Sequence, residues 1–206
     1  FFGIGLLVGL GLLVALAVLL HPGERKKLVA PAVLLVVHVI FEAIVALEQV
    51  LQLFPGDLEA ATALERLYRG GRRFADLADL LERRLGYAED TAESVRLRSK
   101  LGEIFEKELN DPARAVDNYR LALEHDGTHG PSITALERFL EVPSERVAAA
   151  EVLKPVYERR RDWARLIRIF EIKLEAADEP ARRIEFTRAI ARLYEDQVGD
   201  LQSAFT

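Results

Sequence analysis

Leu101-Gly102-Glu103-Ile104-Phe105 and, after a turn, Ala115-Val116-Asp117-Asn118-Tyr119-Arg120-Leu121-Ala122-Leu123 decide the fold. At helical spacing, Leu97, Leu101, Ile104 and Phe105 share one face. Ala115, Tyr119, Ala122 and Leu123 share another. Between them, Asn110-Asp111-Pro112 reads as a helix start. Asp111 is suited to accept a backbone N–H as N-cap, and Pro112 fits the first helical position, where no donor is needed. Small residues at Gly102, Ala115 and Ala122 allow the two helices to approach closely.

This pattern resembles the tetratricopeptide repeat, with Leu101, Gly102 and Phe105 on the first helix and Ala115, Tyr119 and Ala122 on the second. The turn is one residue longer than the family pattern. Recurrence strengthens the resemblance. Residues 64–117 fall without a gap on 153–206: Tyr68 meets Tyr157, Phe74 meets Trp163, Leu77 meets Leu166, and Phe105 meets Tyr194. Residues 43–67 also fall on 115–139, where Thr62-Ala63-Leu64-Glu65-Arg66 meets Thr134-Ala135-Leu136-Glu137-Arg138. Apolar positions persist while charged ones drift, as stacked repeats require, because each helix pair buries its face only against its neighbours.

The expected fold is therefore all-α, a tetratricopeptide-like helical-repeat solenoid over residues 42–206, preceded over residues 1–41 by one or two hydrophobic transmembrane helices. Residues 1–20 carry no charged or polar side chain. Twenty such residues make a helix about 30 Å long, enough to cross the hydrocarbon core. A signal peptide is the competing reading, but no basic segment precedes the run and no small-residue cleavage site follows it. The turn at 21–27 holds Arg25, Lys26 and Lys27, which places that loop in the cytoplasm by the positive-inside rule. Residues 28–47 are apolar except for His38 and Glu42 and read as a second membrane helix. A chain that starts at Phe1 is expected to be a fragment or a processed form.

From residue 57 onward, helices are expected over about 57–69, 72–86, 91–109, 112–125, 131–141, 145–160, 163–176 and 181–197, with another starting at Asp200. Equivalent positions Tyr68, Phe105, Leu140, Tyr157 and Tyr194 lie 37, 35, 17 and 37 residues apart. The 17-residue step is one helix rather than a pair. It predicts an irregularity near 141–144, and Pro155 is expected to kink its helix.

Composition narrows the chemistry. The chain has no Cys, so it has no disulfide, no thiol nucleophile and no cysteine-bound zinc. Its formal net charge is −5 with both signs interspersed after residue 55, a pattern that gives no basic stripe for nucleic acid. His125 and His129 with Asp126 form the one metal-like cluster, but Gly127 and Gly130 make that stretch a turn, and no metal or other cofactor is expected. His38 and Glu42, four residues apart, read as a junction at the membrane surface rather than a buried ion site. No phosphate loop or catalytic triad stands out, so no enzyme is expected.

The resemblance implies a partner groove lined by first helices. Its candidate residues are Thr62, Arg66, Arg69, Arg96, Ser99, Glu103, Arg138, Arg188 and Arg192. Six of the nine are arginines, which pair bidentately with carboxylates and so suggest an acidic protein or peptide partner. Thr62 and Ser99 stand where the family's carboxylate clamp has Asn and Lys, so that clamp is not expected. The expected function is a membrane-tethered, non-catalytic protein-interaction scaffold. The alternative makes residues 1–41 part of a channel or transporter and the solenoid its soluble appendage.

Overall fold

A computed structural model describes residues 25–198. The segment 1–24, where the first hydrophobic helix is expected, and the helix expected from Asp200 lie outside the described residues; Arg25, Lys26 and Lys27, expected in a turn, instead open the first described helix. Contacts divide the chain into two compact units, residues 1–87 and 88–206. In the first unit, α1 (Arg25–Leu53), α2 (Leu58–Gly70) and α3 (Phe74–Leu85) pack in succession. In the second, α4 (Thr91–Lys107), α5 (Pro112–His125), α6 (Gly130–Phe139), α7 (Arg146–Arg160), α8 (Trp163–Glu175) and α9 (Pro180–Arg192) do the same. A π-helical turn, Leu193–Val198, continues α9. No strand occurs among the described residues, and the fold is all-α.

Three helical hairpins are closed in the same way. A non-glycine residue adopts the left-handed conformation after the first helix: Arg72 (φ 55°), Asn110 (φ 51°) and Arg161 (φ 53°). The next residue donates its N–H to the carbonyl of an aromatic residue near the end of that helix. These bonds are Arg73 to Tyr68 at 2.8 Å, Asp111 to Phe105 at 2.8 Å, and Asp162 to Tyr157 at 3.0 Å. The α4–α5 bond reaches back six residues, whereas the other two reach back five. That is the extra turn residue visible in the sequence. Asp111 and Asp162 then cap the second helix by accepting the N–H of Arg114 and Arg165. Such a cap contributes about 1 kcal/mol.

These turns define the pairs α2–α3, α4–α5 and α7–α8. The α6–α7 connection is different: successive short-range bonds, from Leu140 to Glu137 through Arg146 to Val142, carry the chain around. Helix α6 packs against both α5 and α7, and α5 also touches α7. Helix α7 continues through Pro155 from Arg146 to Arg160.

The same sidedness fills both units. Ala61, Leu64, Tyr68, Leu77 and Leu80 are buried in the first, and their counterparts 89 residues on, Ala150, Leu153, Tyr157, Leu166 and Ile169, are buried in the second. Ile44 and Ile133 extend this match back into α1 and α6. Between α4 and α5, Gly102 faces the Tyr119 ring. A Cβ at Gly102 would lie 2.6 Å from the ring.

Helix α1 changes character along its length. Its last three turns contribute Ile44 and Leu51 to the core against α2. Earlier, Val33, Leu34, Val37, Ile40 and Phe41 are uncovered, with Leu34 70% exposed and Phe41 57%. The helix is unbroken across residues 41 and 42. His38 and Glu42 are exposed. Ala30–Leu53 is long and apolar enough to cross a membrane, but its packed and uncovered parts are physically distinct.

Replacing Gly102 by Val should destabilise the second unit by about 2 kcal/mol, because the Tyr119 ring has to be displaced from a filled core. Urea denaturation of both proteins checks this. An unchanged midpoint would show that the α4–α5 contact is looser than described.

Candidate interaction surface

The sequence-predicted groove residues fall into separate groups. On α2, Thr62 is half-buried, while Arg66 and Arg69 are exposed on the same helix face. On α4, Arg96, Ser99 and Glu103 share a face, and Glu103 is bound by Lys107 at 2.7 Å. Arg188 and Arg192 are exposed one turn apart on α9. Arg138 is already engaged: its guanidinium donates to both carboxylate oxygens of Glu106 on α4, at 2.7 and 2.9 Å. The structure therefore spends this arginine on joining α4 and α6.

That bond belongs to a recurring arrangement that the sequence reading did not single out. The buried Tyr119 hydroxyl donates to Glu106 at 2.8 Å. Tyr157 donates to Glu137 at 2.9 Å, and Tyr68 donates to Glu48. Each carboxylate sits on the helix against which the tyrosine packs, so the phenol is satisfied without water. An arginine covers the ring in two cases: Arg73 lies 4.8 Å above Tyr68 and Arg165 lies 5.7 Å above Tyr157. Arg73 pairs with Asp76 at 2.7 Å, and Arg165 pairs with Asp162 at 3.4 Å. The acid and the base have exchanged places between positions 73 and 76 and positions 162 and 165. Glu48 and Glu137 are separated by the same 89 residues as their tyrosines. That spacing was the available signal, but it lies outside the ungapped block beginning at residue 64.

Burial raises the phenol pKa of Tyr68, Tyr119 and Tyr157 well above the ordinary value, and the adjoining carboxylate raises each further. The fold thus favours the protonated phenol. In the turn after α5, Asp126 accepts from Thr128, which holds its carboxyl below the usual range. His129 Nδ1 is 2.9 Å from the Ser132 hydroxyl. No cluster of three metal-ligating side chains occurs among the described residues.

Two recesses are relevant to a partner. One in the first unit, of about 620 Å³, is lined by Glu48, Tyr68, Asp76, Asp79, Glu82 and Arg83. Its charge is opposite to the arginine-rich surface expected from sequence. Another, of about 360 Å³, lies between α5 and α7 and has apolar walls from Leu123, Val152, Pro155 and Val156.

Paired helices, left-handed hairpin turns and a core that repeats after 89 residues define a helical-repeat protein. The tetratricopeptide repeat profile matches residues 155–184, which comprise the end of α7, all of α8 and the start of α9. This supports the resemblance read from the sequence. No curated protein matches the chain. Tetratricopeptide repeats are typically non-catalytic and generally bind protein partners.

Because the folded phenols titrate above their unfolded value near 10, their contribution is present below pH 10 and is lost as pH rises above it. Stability should fall between pH 10 and 11, by at most about 1.4 kcal/mol per tyrosine. Replacing Tyr68, Tyr119 and Tyr157 by Phe should lower stability at pH 7 by about 1 kcal/mol per lost hydrogen bond and flatten the alkaline slope. Urea denaturation across this pH range measures both effects.

Proposed function

We propose that this chain is a non-catalytic scaffold, tethered to a membrane through residues 1–41, that holds a protein partner on its helical repeats from residue 42 onward. Residues 30–41 of α1 carry the reading. They are apolar except for His38, mostly uncovered, and continuous with turns that pack into the first unit. An apolar helix is stable in lipid or inside a large core, and Val33, Leu34, Val36, Val37, Ile40 and Phe41 are exposed here.

The uncovered stretch 30–41 spans only about 18 Å at 1.5 Å per residue, short of a hydrocarbon core of about 30 Å. The proposed anchor therefore includes residues 1–20, whose composition is wholly apolar. Basic residues 25–27, in the first turn of α1, favour a cytoplasmic position for that end of the helix. The repeat irregularity at 141–144 belongs to the same proposal: α6 is a single helix inserted between hairpins, and it bends the path of the partner surface.

Flotation on liposomes tests the tether. The full chain should rise with lipid, and a form with Leu34, Val37 and Phe41 all changed to Glu should do so markedly less. Equal flotation of both would remove α1 from the anchor. A full chain that stays at the bottom would overturn the membrane reading.

A further inference from the structure

The cleft lies between α5 and α7, which touch each other as well as the intervening α6. Its walls are the apolar side chains of Leu123, Val152, Pro155 and Val156. Pro155 has no N–H to give to the carbonyl of Glu151 one turn earlier, so that carbonyl lacks its usual helical donor. Both residues line the cleft.

Charge at the rim is unevenly compensated. Arg120 is paired with Asp117 and Glu124. Glu151 is held by Lys173 at 2.7 Å. Arg159 has no ion-pair partner among the described residues, and it is exposed. Its guanidinium lies close to Gly127, where a Cβ would meet Arg159 Cζ at 2.8 Å. A flat, weakly hydrated fork beside an apolar recess suits a carboxylate adjoining an apolar side chain.

We propose that the α5–α7 cleft is a docking site for a partner peptide, which buries an apolar side chain against Val152 and Pro155 and gives a neighbouring carboxylate to Arg159. This rests on the reading of the repeats as protein-binding, and it assigns the acidic partner to Arg159 rather than to the arginines of α2, α4 and α9.

Three dye-labelled dodecapeptides test it, with identical leucines spaced by Glu, Gln or Lys and binding read by fluorescence anisotropy on the full chain. The Glu peptide should bind at least tenfold tighter than the other two. Arg159→Glu should weaken it at least tenfold, and Val152→Arg, which fills the recess, should do the same. Circular dichroism melts establish that each variant is folded; Arg159→Glu alters an exposed side chain and serves if Val152→Arg does not fold. Equal binding of the three peptides, no binding of any, or a Glu peptide indifferent to Arg159→Glu overturns the proposal. A Glu peptide lost with Arg66→Glu and Arg69→Glu but kept with Arg159→Glu also overturns it, while leaving the scaffold reading in place.

Discussion

An aromatic ring buried at the end of one helix, with its own carbonyl tied to the turn that starts the next, is the constraint on which both units depend. At Tyr68, Phe105 and Tyr157 the ring is at most 1% exposed. The same residue's carbonyl receives the N–H that follows a left-handed residue. A left-handed non-glycine residue costs on the order of 1–2 kcal/mol. The hairpin offsets that cost by burying the ring and satisfying a helix-end carbonyl. Helix capping, the approach of Gly102 to Tyr119, and the carboxylates that meet the phenols all follow from this geometry.

The hairpins were legible in the sequence because their signals are local. Asp111 before Pro112 and the helical spacing of Leu101, Phe105 and Tyr119 each specify one element. The extra turn residue before Pro112 reappears as a bond that reaches back six residues instead of five. The helix Gly130–Phe139 was legible for the same local reason, because Pro131 marks its start. What the sequence left hidden involves pairs distant along the chain. Glu106 is an ordinary exposed-type residue until α4, α5 and α6 bring Tyr119 and Arg138 to it. Arg138 reads as a groove residue from its helical position, and only the fold shows that it also pairs with a carboxylate on another helix.

Residues 28–47 show how composition and packing separate. Hydropathy reads them as one apolar run. Burial divides them after Phe41, because from Ile44 onward the helix has α2 to pack against and before that it has no covering element among the described residues. The consequence is mechanical as well as chemical. Since α1 is unbroken across this point, the first unit follows directly from the uncovered stretch without a flexible linker.

Amide hydrogen exchange of the full chain with and without lipid nanodiscs measures the division of α1. Residues 44–53 should be protected in both conditions, because α2 covers them. Residues 30–41 should become strongly protected only with lipid. Equal exchange of 30–41 in the two conditions would contradict the tethered scaffold, and it would mean that the apolar half of α1 meets something other than a membrane.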